Sequence, residues 1–257
     1  MIDMNIRTYG TDERLGFCRE YLLEKNVSAV GEIILLPIPS TRDGVTVSGL
    51  GKTPIELLGG QRCSGVVAGY GIPKRFKEEL AEIGLSVADV SLDERFVQDN
   101  ASLTAIGAVG KILTESNAVP RDLSIGIIGY GRIGKRLLEL LLFLGARVIV
   151  FTSKEGVRRE LCAHGISALP YEELSGEDVN EAIASFDILI NTAPAPIISD
   201  EAIEALNKTK LIELASGDNF PKNAPVTRLM QLPAKMYPRS AGRALGDSIL
   251  RMLGEQI

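Results

Sequence analysis

Apolar and polar positions follow two rhythms along this chain. Short apolar runs bounded by Gly, Pro or Asp recur at 32–37 (EIILLP), 63–70 (CSGVVAGY), 86–91, 123–128, 147–151, 167–169, 187–191 and 210–214. Runs of this length with little alternation are the mark of strands buried on both faces. Between them, apolar residues return every three or four positions. The segment 12–25, capped by Thr11, carries a stripe of Leu15, Cys18, Tyr21 and Leu22. The segment 74–83 follows Pro73 and is closed by Gly84, and further helices are expected near 132–144, 155–164, 178–185 and 200–207. A loop over 38–44 (IPSTRDG) should lead into a small strand at 45–48. Strands alternating with helices predict parallel α/β layers.

Two segments do not fit a simple alternation. The stretch 100–116 (NASLTAIGAVGKILTES) is helical in period but rich in Ala and Gly, which permits close helix approach, and we read it as a helix crossing between domains. The segment 240–254 (SAGRALGDSILRMLG) puts Leu245, Ile249 and Met252 on one face, as a helix returning to the first domain would. The expected fold class is therefore α/β, with two α/β domains joined by crossing interdomain helices. An N-terminal substrate-side domain covers 1–99, the interdomain helix 100–118, a doubly wound parallel Rossmann sheet 119–235, and a C-terminal helix 236–257.

Composition narrows the function. The chain has 257 residues, is 45% hydrophobic, lacks Trp and has a net charge of −5. Its core is aliphatic and large enough to need no disulfide or metal. An acidic balance argues against nucleic acid or an anionic membrane as partner. Cys18, Cys63 and Cys162 are far apart, and His164 is the single histidine, so no metal site is expected. The N-terminal residues lack an apolar core and no apolar run reaches membrane-spanning length, so the expected location is the cytoplasm.

The chemistry is concentrated in IGIIGYGRIGKRLLELLLFLGARVIVFTSK, residues 125–154. Gly129, Tyr130, Gly131, Arg132, Ile133 and Gly134 form a G-x-G-x-x-G between an apolar strand and an apolar helix. A second strand follows at the spacing a βαβ unit requires. Gly129 would make the tight turn, Gly131 would admit a pyrophosphate, and Gly134 would let the helix pack on the strand. The helix N-terminus offers N–H donors and partial positive charge. About 20 residues on, a carboxylate would hold both ribose hydroxyls and repel a 2′-phosphate. This chain has Thr152, Ser153 and Lys154 there, with Arg158 and Arg159 one turn further and Glu155 between. These donors favour NADP over NAD. Ligands of parallel sheets lie at the carboxyl ends of the strands, which adds Thr192, Ala193 and Pro194 from FDILINTAPAP, and Ala215 and Ser216 from LIELASG. His164, in ELCAHG at the end of a helix, lies away from this edge, so a hydroxy-acid dehydrogenase with a histidine base is disfavoured.

With these residues in view, the chain resembles the family of the bacterial dipicolinate synthase A subunit over most of its length. The matching segments are NASLTAIG (100–107), GYGRIG (129–134), INTAP (190–194), LIELAS (211–216) and LPAKMYPRSAG (232–242). The resemblance implies a two-domain fold like that of formate and glycerate dehydrogenases. It implies oxidation of a dihydro- or hydroxytetrahydro-dipicolinate to dipicolinate with NADP as acceptor. It also implies a flavoprotein B subunit for partner, and a product that accumulates in endospores. The chain departs from the family at Ile106, where a glutamate is usual, and at Gly217-Asp218-Asn219, where Arg-Pro-Gly stands. Arg239 and Ser240 replace Lys and Thr.

A substrate with two carboxylates needs cationic or hydroxyl donors. The candidates are Thr41 and Arg42 in the loop of the first domain, and Lys235, Arg239 and Ser240 near the C-terminus; Arg132 serves either the substrate or the pyrophosphate. No general base is assigned, since forming a pyridine supplies driving force. Two other readings stand beside this one. One is an NADP-dependent dehydrogenase or reductase of another small carboxylate, the other a catalytically silent dinucleotide-binding regulatory subunit. A homodimer is the expected assembly.

Overall fold

Every pair of named strands runs parallel in the computed structural model, which describes residues 5–25, 31–59, 64–174 and 181–254. The chain divides into two compact units, Met1–Asn100 with Pro233–Ile257, and Ala101–Leu232.

The first unit begins with β1 (Ile6–Thr8), α1 (Glu13–Glu24), β2 (Glu32–Leu35), α2 (Pro54–Leu58), β3 (Gly65–Gly69), α3 (Lys74–Glu82) and β4 (Leu85–Asp89), its four strands in the order β1-β2-β3-β4. Period-two alternation divides its core. Ile33 and Leu35 pack with Leu15, Cys18 and Leu22 of α1, whereas Ile34 and Leu36 pack with Leu58, Phe76 and Leu80. Cys18 is buried, which pushes its thiol pKa well above the usual range. Cys63, at the head of the expected strand 63–70, lies outside the described residues.

Three boundaries differ from expectation for the same reason, a short acidic side chain capturing backbone N–H groups. Asp12, not Thr11, caps α1, because its carboxylate accepts from Arg14 N at 3.1 Å and chelates the Arg14 guanidinium at 2.6 Å. No strand forms at 45–48. Asp43 takes the backbone N–H groups of Val45 and Thr46 at 2.8 and 2.7 Å, leaving one bridge, Thr41 with Val47. Asp89 ends β4 by accepting from Ser91 N at 3.2 Å, and a 3-10 turn follows over Val90–Leu92.

Helix α4 (Glu94–Glu115) starts six residues before the expected 100, with Asp93 accepting from Arg95 N at 3.1 Å at its head. It continues from the first unit into the second. There follow β5 (Ser124–Ile128), α5 (Arg132–Phe143), β6 (Arg147–Phe151), α6 (Glu155–Ala163), β7 (Ser167–Leu169), α7 (Glu181–Ala184), β8 (Ile188–Asn191), α8 (Asp200–Ala205), β9 (Lys210–Glu213) and β10 (Val226–Arg228). Residues 178–180 of the helix expected at 178–185 lie outside the described ones. The sheet order is β10-β9-β8-β5-β6-β7. Its core sets Phe151 edge-on to Phe186, with centroids 6.0 Å apart, among Ile128, Leu189 and Leu211.

Two helices complete the chain: α9 (Leu232–Met236), unforeseen, and α10 (Pro238–Met252), which Pro238 opens at its first turn, two residues before the expected start. Helix α10 packs on α1 through Gly242 and Gly246, one turn apart. A Cβ on Gly242 would lie 2.6 Å from Arg14 O, and one on Gly246 would lie 2.5 Å from the Tyr21 ring. Among the described residues no helix is long and apolar enough to cross a membrane, and no cluster of three His, Cys, Asp or Glu side chains is arranged to hold a metal.

Candidate dinucleotide-binding site

Counted from β5, the second sheet has the order 3-2-1-4-5-6, and the chain reverses direction between β5 and β8. In such sheets the crevice beyond the carboxyl ends at that reversal receives a dinucleotide. The glycine turn stands there. Gly129 adopts φ +94°, and its N–H donates to Phe151 O at 2.8 Å. A side chain at 129 would be strained by that φ and would lie 2.7 Å from Thr192 Oγ1. At Gly134 a Cβ would lie 2.2 Å from Gly129 O, so only glycine lets α5 start this close to the turn.

Gly131 differs from both. It is the N-cap of α5, no side chain caps the helix, and the space its Cβ would fill is open. The N–H groups of the first turn of α5, at Ile133 and Gly134 among them, point out of the helix end toward that space. Open space over an uncapped helix N-terminus fits a pyrophosphate. Tyr130 is half-buried beside it, with Lys135 Nζ 5.3 Å from its ring centroid. Burial, then the charges of Glu160 and Glu139, raises the Tyr130 pKa, so the phenol stays neutral.

At the end of β6, Thr152 is buried and its hydroxyl accepts from Lys154 N at 3.4 Å. Arg158 Nη1 donates to Thr152 O at 2.6 Å and so holds the loop, while Arg159 pairs with Glu155. Ser153 and Lys154 are exposed, and Lys154 has no ion-pair partner among the described residues. The one nearby acid, Glu155, is thus occupied, and the strand end presents a hydroxyl and an ammonium.

The end of β8 is tied to the glycine turn. Thr192 N donates to Ile128 O at 2.8 Å, and its hydroxyl donates to the same oxygen at 2.8 Å and reaches Gly129 O at 3.3 Å. Asn191 Oδ1 accepts from Ala193 N at 3.0 Å, which sets the direction of the loop into Pro194. Ala215 is buried and Ser216 exposed after β9.

One group here escaped the sequence reading. Glu213, the last residue of β9, is fully buried. Its Oε1 accepts from Asn191 Nδ2 at 3.0 Å and Ala215 N at 2.9 Å, and its Oε2 from Asn219 Nδ2 at 3.2 Å. Burial raises its pKa, and the three hydrogen bonds and Arg228 partly offset that. An acid inside the apolar run LIEL was the available signal.

The remaining candidates lie in the first unit. Thr41, half-buried, donates its hydroxyl to Asp43 at 3.0 Å and accepts from Gly44 N at 2.9 Å, so it serves its turn. Arg42 is exposed. Lys235 is exposed on α9, and Arg239 and Ser240 are exposed in the first turn of α10. His164 caps the far end of α6, Nδ1 2.8 Å from Glu160 O.

The sheet order, the glycine turn at the reversal and the open helix N-terminus define a Rossmann dinucleotide-binding unit of the kind dehydrogenases use. The A subunit of dipicolinate synthase from Bacillus subtilis (strain 168) is 24% identical over 164 residues, 61% of this chain and 54% of that protein. The matched region thus spans about half the length of the relative. The crystal structures of the same synthase polypeptide from Bacillus halodurans and Bacillus subtilis both superpose with a TM-score of 0.76 at 18% identity. They cover 98% and 99% of this chain, and 98% and 97% of theirs. L-alanine dehydrogenase shares the fold with a TM-score of 0.59 at 14% identity over 97% of this chain and 89% of its own. No family model matches the chain.

Proposed function

We propose that this protein is an NADP-dependent oxidoreductase of the dipicolinate synthase A type, converting a dihydro- or hydroxytetrahydro-dipicolinate to dipicolinate. The observation that carries the cofactor is the uncapped helix N-terminus over the open Gly131, with Lys154 in place of a carboxylate at the end of β6. The identity of the Bacillus relative and the shared fold support the substrate class. When bound, the oxidised nicotinamide accepts a hydride at its C4.

The chain's own part is to bind and orient. Backbone N–H groups at the start of α5, those of Ile133 and Gly134 among them, take the pyrophosphate, with Arg132 beside them. Ser153 and Lys154 take the 2′-phosphate. The loops through Thr192–Pro194 and Ala215–Ser216 lie at the nicotinamide side of the reversal. Arg42, Lys235 and Arg239, with the hydroxyls of Thr41 and Ser240, are the donors for the substrate carboxylates. A hydroxytetrahydro-substrate would first lose water; the dihydro-substrate would then lose one hydride, taken up by the coenzyme, and one proton, released to solvent, to become the pyridine, and the chain's part is to hold the ring in place for that transfer. A cytoplasmic setting and a flavoprotein B subunit complete this reading.

Ile106 favours a second reading. It is an exposed apolar residue, 37% accessible, where the resembling family has glutamate. A dehydrogenase of another small carboxylate would tolerate that change. The deciding experiment incubates the protein with NADP and dihydrodipicolinate and follows reduced coenzyme together with dipicolinate. Coupled formation of both supports the proposal; coenzyme binding with neither product rejects the substrate.

A further inference from the structure

We infer that Glu213 is the positioning residue for the nicotinamide half of the site, the node through which the two loops at the carboxyl ends of β8 and β9 are held in register. The inference rests on the dinucleotide reading above. Three donors converge on this one carboxylate from three places: the end of β8 (Asn191 Nδ2), the second residue past β9 (Ala215 N) and the far side of the next loop (Asn219 Nδ2). Asn191 and Glu213 are also direct partners in the sheet register, so the tie adds to a backbone already in place.

Each tethered group passes the constraint on. Asn191 fixes the direction of the chain into Pro194 through Ala193 N at 3.0 Å and Ala193 O at 2.9 Å. Asn219 closes the loop over Ser216–Asn219 by donating to Ser216 O at 3.0 Å. Arg228, from β10, braces that loop from outside through Gly217 O at 3.0 Å and Asp218 at 2.9 Å. The segment Gly217-Asp218-Asn219, where the chain departs from the family it resembles, thus supplies one of the donors that Glu213 needs. In a sheet of this order both loops border the nicotinamide side of the crevice, whereas the glycine turn and the end of β6 serve the adenosine side.

A neutral isostere tests the node. In Glu213→Gln one oxygen becomes an NH2 donor facing a donor. Turning the Asn219 amide to accept it would break the bond to Ser216 O. The measurement titrates wild type and variant with NADPH and with adenosine 2′,5′-bisphosphate, which carries the adenosine half alone. Affinity for NADPH should fall at least about 5-fold, while affinity for the bisphosphate stays unchanged. An equal loss for both ligands, or no loss for either, overturns the inference and leaves the dinucleotide reading intact. A wild type that binds neither ligand overturns both. Should Glu213→Gln not fold, Asn219→Ala removes one tie from the loop side and must show the same asymmetry.

Discussion

A methyl group on Gly134 would stand 2.2 Å from the carbonyl oxygen of Gly129, whereas one on Gly131 would meet nothing within 4 Å. Two glycines of one motif therefore answer to different demands, and substitution separates them. Gly134→Ala pushes a side chain into backbone that has nowhere to move, and should cost about 1–3 kcal/mol of stability. Gly131, at φ −83°, accepts Ala without strain, and losing the better N-cap residue costs under about 1 kcal/mol. Yet its methyl would occupy the space above the helix N-terminus. Urea unfolding and NADPH titration on both variants should show an unstable protein in the first case and a stable one with impaired coenzyme binding in the second.

On the NADP reading proposed above, Lys154 is the residue that selects the coenzyme. Arg158 is occupied with Thr152 O and Arg159 with Glu155, which leaves this ammonium to meet a 2′-phosphate. Lys154→Ala should weaken NADPH about 3- to 10-fold and leave NADH unchanged. The wild-type preference should also fall as salt is raised, because the group is exposed. Calorimetry with both coenzymes at two ionic strengths measures this, and equal losses for NADPH and NADH would contradict it.

Strands β5, β8 and β9 of the second unit were readable because they are buried along almost their whole length and so appear as apolar runs, and Gly129 and Gly134 because backbone geometry demands them. What sequence pattern missed was set by distant or very local partners. Strands β1 (IRT) and β10 (VTR) carry one apolar residue each, so no apolar run marks them. Val45–Thr46 looks like strand until Asp43 is seen to take its N–H groups. In the site, residue type suggested ligand donors at Thr152 and Thr192, whereas the structure engages both hydroxyls with backbone. Glu213 was hidden because its donors lie up to 22 residues away in sequence.

Helices α10 and α1 approach closely through glycines. At Gly242 a Cβ would lie 2.6 Å from Arg14 O and 2.8 Å from Cys18 N, both backbone atoms. Gly242→Ala should therefore cost about 1–3 kcal/mol. Gly16, exposed inside α1, meets nothing within 4 Å, and Gly16→Ala should add about 0.5–1 kcal/mol through helix propensity. Opposite shifts in the denaturation midpoint, with coenzyme affinity unchanged in Gly16→Ala, are expected.

Burial of Glu213 has a consequence for stability against pH. Its carboxyl pKa lies above the ordinary 4.5 in the folded chain. Between 4.5 and that raised value the folded protein keeps a proton that the unfolded chain releases. The stabilising contribution is therefore complete below the unfolded value and is lost as pH rises through the folded one. Other carboxylates act oppositely: Asp43 is held well below its usual range by hydrogen bonds from Thr46, Val45 and Thr41. The contribution of Glu213 is isolated by subtraction. Unfolding free energies of wild type minus Glu213→Gln, measured across mildly acidic to neutral pH, should fall as pH rises and then level off once the buried carboxyl has ionised. A flat difference would show that the carboxyl titrates alike in folded and unfolded chains, and that its three donors compensate its burial in full.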